Sequence, residues 1–199
     1  MEDTYRTVEN ISEGLYKEKG SKFISFAYPI KNEEEVKEIV NLLKEEYYDA
    51  RHHCYAWRLG VENPRTRAVD DGEPSSTAGK PILGQIISQD LTNILIVVIR
   101  YFGGTKLGVS GLIVAYREAA LDAIQNGFVI EKTVDDIFTI TFSYMAMNDV
   151  MKVIKDLEPE VLERNFELEC KMTLSIRMQN SSELRERLSK VESLAVSNI

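Results

Sequence analysis

The apolar run Ile94 to Ile99 leads into Arg100-Tyr101-Phe102-Gly103-Gly104-Thr105-Lys106-Leu107-Gly108-Val109-Ser110-Gly111, and this into a helical pattern from Leu112 to Gln125. A short, continuous apolar run rich in β-branched residues reads as a strand buried on both faces. The glycines that follow leave a loop without bulky side chains between Arg100 and Lys106. Backbone N–H groups and a helix start there could meet an anion. The plainer alternative is a tight turn whose glycines serve positive φ or close packing. The spacing is neither a Walker A nor a G-x-G-x-x-G pattern, so no nucleotide cofactor is expected.

Upstream, Lys22 to Ile30 reads as a strand. Asn32 with Glu35 forms a capping box that opens a helix with the stripe Val36, Ile39, Val40, Leu43 and Tyr47. A second strand, His53 to Gly60, places His53, Tyr55, Trp57 and Leu59 on one face and Cys54, Ala56 and Arg58 on the other. Residues 63–80 are dense in turn residues and read as one long loop, of the kind that is functional or disordered. A short apolar helix around Ile82, Leu83, Ile86 and Ile87 follows.

Downstream of the glycine loop, a helix capped by Ser110 is expected to end at Asn126-Gly127. After Asp135-Asp136 the pattern runs strand, helix, two strands, helix (182–190) and a short terminal strand. This β-α-β-β-α-β order is the ferredoxin-like split βαβ unit. The chain therefore reads as α+β, dividing into residues 1–133 and 134–199.

The chain has 199 residues, 44% of them hydrophobic, enough for one or two domains. No apolar run reaches membrane-spanning length and Met1-Glu2-Asp3 is polar, so no membrane segment or signal peptide, and a cytoplasmic location, are expected. Cys54 and Cys170 stand alone in sequence, which points to reduced thiols without zinc or another metal. The net charge of −8 is unevenly spread: residues 51–117 carry an excess of Lys and Arg and both histidines, between acidic flanks. Such a chain resists bulk nucleic acid yet can hold one phosphate or a short strand.

Three segments, Asp49-Ala50-Arg51-His52-His53-Cys54-Tyr55-Ala56-Trp57-Arg58, Asp70-Asp71-Gly72-Glu73-Pro74-Ser75-Ser76-Thr77-Ala78-Gly79-Lys80-Pro81-Ile82-Leu83 and Arg100 to Gly108, closely resemble the YigZ/IMPACT family. The resemblance covers roughly residues 20–128. It implies a first domain folded like the second domain of ribosomal small-subunit protein five and a second like the last domain of elongation factor G. It also implies a link to regulation of translation and to stress, since eukaryotic relatives restrain a starvation-sensing kinase that represses initiation. Those relatives carry a further N-terminal domain that these residues do not match. His53 and Val114 stand where the family often has Asn and Arg.

The acidic segment admits three readings. Asp70, Asp71 and Glu73 could hold a divalent cation, the Ser76 and Thr77 hydroxyls and the next helix start could bind an anion, or the carboxylates could pair with Arg65, Arg67 or Arg100. His52 with Asp70 or Asp71 is the candidate acid/base pair, with Cys54 a conceivable nucleophile. The expected binding surface is His52, Arg58, Asp70, Asp71, Glu73, Ser76, Thr77, Arg100, Gly103, Gly104, Lys106 and Gly108, one groove beside Tyr101 and Phe102, which could stack on bases. The expected partner is RNA, the ribosome or a translation factor, with a phosphate or other anion in the glycine loop and no membrane. The alternatives are a hydrolase or transferase acting on a phosphorylated small molecule, and a protein-interaction module.

Overall fold

A computed structural model describes residues 3–198. In chain order the elements are β1 Thr4–Val8, β2 Ser12–Glu18, β3 Ser21–Pro29, α1 Glu33–Glu46, β4 His52–Leu59, β5 Arg65–Val69, α2 Gly79–Ser88, β6 Ile94–Tyr101, α3 Gly108–Asn126, β7 Val129–Thr133, β8 Asp135–Phe142, α4 Met147–Leu157, β9 Glu160–Phe166, β10 Cys170–Arg177, α5 Met178–Ser189 and β11 Leu194–Asn198. Tyr5–Lys132 form one compact unit; Thr133 onward, joined by Asp3 and Thr4, form another.

The larger unit is built on a five-stranded sheet of order β2-β3-β6-β4-β5, with every neighbouring pair antiparallel. β6 lies at its centre and is buried from Ile94 to Arg100, as the unbroken apolar run requires. On one face, Phe26, Trp57, Leu95, Val97 and Ile99 pack with Val36, Val40 and Leu43 of α1. On the other, Phe23, Cys54, Ile96 and Val98 pack with Ile82 and Ile86 of α2 and with Leu112, Tyr116, Ala119 and Ala123 of α3. The alanines of α3 let it lie close: a Cβ on Gly14 would stand 2.4 Å from the Ala123 nitrogen. The backbone of edge strand β2 is met by this helix, because Leu15 N–H donates to Asp122 (2.8 Å) and the Asn126 amide donates to the Glu13 carbonyl (2.9 Å). Such cover withholds the edge from strand pairing.

Several expectations are corrected here. The long loop contains β5, whose side chains are mostly exposed and so leave no apolar alternation to read. β1, β2 and β7 are likewise strands without a sequence signal in our reading. Asn32 does cap α1, accepting from Glu35 N–H (2.9 Å), but the Glu35 carboxylate reaches back to Lys31 N–H (2.8 Å). Ser110 does not cap α3. The helix already begins at Gly108, where φ of +74° turns the chain, and it has no side-chain cap.

In the smaller unit the elements from β8 to β11 make a four-stranded sheet of order β11-β8-β10-β9, with antiparallel neighbours throughout. Phe138, Ile140, Phe142, Met172, Leu174 and Ile176 form its core with Val150 and Ile154 of α4 and Leu184 and Leu188 of α5. Asp3 accepts from the Arg177 guanidinium through both oxygens (2.8 Å each). That partner holds the Asp3 carboxyl below its usual range. Among the described residues no helix is long and apolar enough to cross a membrane.

Candidate anion-binding cleft

β4 and β6 set the site. Their antiparallel register places His52 opposite Arg100 at one end of the sheet, so the two side chains share the face covered by α2 and α3. Arg100 donates to Glu73 at 2.6 Å, and the two side chains are only 8% and 3% exposed. The Tyr116 hydroxyl donates to the same Glu73 oxygen (2.8 Å), and the Cys54 thiol contacts the Tyr116 oxygen (3.4 Å) and the Asp70 carbonyl (2.9 Å). Burial pushes both the Cys54 thiol and the Tyr116 phenol strongly upward. A thiol so raised stays protonated, so Cys54 is not a nucleophile in this arrangement.

The acidic segment turns inward rather than lining a groove. Asp70 accepts from the N–H groups of Ser76 (2.8 Å), Ala78 (3.1 Å) and Gly79 (2.9 Å). It thereby occupies the start of α2, where an anion was one expectation. Asp71 takes up a positive φ of 41°, accepts from His53 N–H (2.7 Å) and pairs with Lys44 (3.1 Å). The Thr77 hydroxyl donates to the Pro74 carbonyl (2.7 Å), and Ser76 contributes its N–H to Asp70. Asp70, Asp71 and Glu73 thus serve N–H groups, Lys44 and Arg100, and among the described residues no group of three His, Cys, Asp or Glu side chains could hold a metal ion. His52 bonds through Nδ1 to the Asp71 carbonyl (2.9 Å), not to a carboxylate. A carbonyl only accepts, so Nδ1 is the donor in this contact, and the tautomer that makes it leaves Nε2 as an acceptor.

Residues 49–52 and 100–102 enclose a cleft of about 410 Å³. Tyr101 donates to Asp49 (2.6 Å), which pushes its phenol up to about 12 and engages that carboxylate. Arg51 is exposed and has no ion-pair partner among the described residues. The Arg100 guanidinium lies over two rings, 5.5 Å from the centroid of buried Phe23 and 5.7 Å from that of Phe102, which is 58% exposed. Arg100 Nε is buried and without a hydrogen-bond partner.

The glycine loop divides in role. Gly103 packs on the β2–β3 turn, and a Cβ there would stand 1.8 Å from the Gly20 carbonyl carbon. Gly104 and Gly108 need positive φ (+88° and +74°) and face open space. Lys106 is exposed. The first turns of α3 line a second hollow of about 310 Å³ with Tyr16, Glu18 and Lys19, so the expected single groove is two. Arg58 belongs to neither hollow. It pairs with Ile94 at the other end of β4, roughly 20 Å along the strand from His52, donating to the Leu91 carbonyl (3.1 Å) and facing Asp90. Sequence reasoning overlooked Arg51 and the Tyr116 hydroxyl. Tyr116 matched a core stripe, and nothing in that pattern marks its polar end.

The Impact N-terminal domain family matches residues 19–124. An IMPACT family member of Haemophilus influenzae is 32% identical over 86% of this chain and 86% of its own length. The member YigZ of Escherichia coli is 31% identical over 75% and 74%. A crystal structure described as a hypothetical protein superposes with a TM-score of 0.77 at 26% identity, covering 100% of this chain and 98% of that one. With a family match over more than half its length and relatives matched over about three quarters or more of both lengths, the chain belongs to the IMPACT family.

Proposed function

We propose that this protein acts in the regulation of translation by binding RNA, free or on the ribosome, through the cleft at residues 49–52 and 100–102. The observation that carries the reading is the gathering of Arg51, His52 and Arg100 around that cleft beside the exposed Phe102 ring. Two guanidinium groups next to an aromatic face, with an imidazole beside them, suit a phosphodiester chain with unstacked bases. Lys106 and the uncapped start of α3 continue the electropositive path along the glycine loop. The family's implied fold likenesses, to the second domain of ribosomal small-subunit protein five and the last domain of elongation factor G, agree with work among translation components. The acid/base alternative is weakened because both of its carboxylates, Asp70 and Asp71, are engaged elsewhere.

Filter binding of RNA over a salt series tests the reading. Lys106→Ala, an exposed change, should weaken retention and flatten the log–log salt slope by about 0.7, one single-strand phosphate contact. Failure of the unmodified protein to retain RNA or ribosomes at low salt would refute it.

A further inference from the structure

We infer that the cleft receives a single unstacked ribonucleotide, with its base on the exposed ring of Phe102, its phosphate at Arg51 and Arg100, and its 2′-hydroxyl at His52 Nε2. This rests on the RNA-binding reading above and specifies what that site recognises. Three independent features converge on it. The first is the aromatic pair: the Arg100 guanidinium lies over both the Phe23 and Phe102 rings, and Phe102 is 58% exposed. A base laid on Phe102 adds to this arrangement, with the guanidinium polarising the ring.

The second is Arg100 itself. Its NH1 is committed to Glu73, while its buried Nε lacks an acceptor. Native interiors rarely leave such a donor unpaired, and an oxygen of a bound anion is the acceptor that a site of this charge would attract. Arg51, exposed and without an ion-pair partner among the described residues, supplies a second cation at the cleft. The third is the tautomer of His52. The tautomer that donates from Nδ1 to the Asp71 carbonyl leaves Nε2 as an acceptor. A ribose 2′-hydroxyl is a donor of that kind, and deoxyribose lacks it. A volume of about 410 Å³ has room for a ligand of nucleotide size.

The test is fluorescence anisotropy with labelled twelve-residue oligouridine and its deoxyribose counterpart at one salt concentration, using the full chain. Emission of the sole tryptophan, Trp57, checks the fold of each variant. Phe102→Ala should weaken both ligands by roughly 5- to 150-fold. His52→Ala and His52→Gln should remove the preference for ribose over deoxyribose by lowering ribose affinity more than deoxyribose affinity. Photo-crosslinking should map to residues 100–102. RNA binding by the parent that Phe102→Ala leaves unaltered, or a ribose preference that both His52 variants retain, overturns this inference while the broader reading stands. Absence of RNA binding by the parent overturns both.

Discussion

Replacing Glu73 by Gln isolates the electrostatic core of the site. Glu73 and Arg100 are almost wholly withdrawn from water, and their contact is 2.6 Å. Gln keeps the shape and an acceptor for the Tyr116 hydroxyl, so that hydrogen bond, worth about 1 kcal/mol, persists. What is lost is the counter-charge, which leaves Arg100 buried and uncompensated. Breaking one side of a buried pair costs about 3–5 kcal/mol, and Gln belongs at the lower end. With a urea dependence of about 1–3 kcal/mol per molar, a loss of about 3 kcal/mol lowers the unfolding midpoint by roughly 1–3 M. The assay is Trp57 fluorescence, since this buried residue reports the unit that holds the pair. Glu73→Gln with Arg100→Met removes both charges and should recover most of the loss, giving a large coupling energy. A Glu73→Gln protein within about 0.5 kcal/mol of the parent would refute the claim that this ion pair holds the cleft.

Three further outcomes are expected. Asp70→Ala leaves the N–H groups of Ser76, Ala78 and Gly79 without their acceptor; it should cost about 1–2 kcal/mol and open residues 70–80 to proteolysis, with Asp70→Asn recovering part of both. Gly103→Ala forces a Cβ into the Gly20 backbone and should cost about 2–3 kcal/mol, whereas Gly104→Ala meets open space and pays only the left-handed penalty of about 1–2 kcal/mol; equal urea midpoints for the two variants would contradict this split. Burial lowers the His53 pKa from 6.5, only partly offset by the Tyr47 carbonyl and Asp71. The unfolded chain therefore binds the proton more readily, so this residue's contribution is fully present above pH 6.5 and is lost as pH falls through the lowered folded value. Urea midpoints measured from pH 7.5 downward should decline below 6.5, and less so in His53→Gln.

The layered core was legible because it is written in periodicity. The six apolar residues from Ile94, the stripe of α1 and the two-faced pattern of β4 each have one compatible placement. The exposed strands were not legible, because β5 carries Arg65, Thr66 and Arg67 outward and its pairing with β4 is a backbone matter. The same limit applies at the site. Residue type left three readings open for Asp70, Asp71 and Glu73, and only the folded loop distinguishes them, because it turns the carboxylates onto its own N–H groups, Lys44 and Arg100. Arg58 was misplaced for a simpler reason: shared strand and charge say nothing about which end of the strand a side chain occupies. Arg100 and His52 were found because the motifs around them are dense. Arg51, inside the same motif, offered a lone cation and no pattern.

The bond between Asp3 and Arg177 closes a span of 174 residues. On the ribosome, Asp3 is made 174 residues before its guanidinium partner, whereas the core within Tyr5–Lys132 draws on nothing made later. The core between these two residues can therefore form before Asp3 finds its partner. A polypeptide arrested before Arg177 would carry a finished cleft and an Asp3 still waiting for that guanidinium.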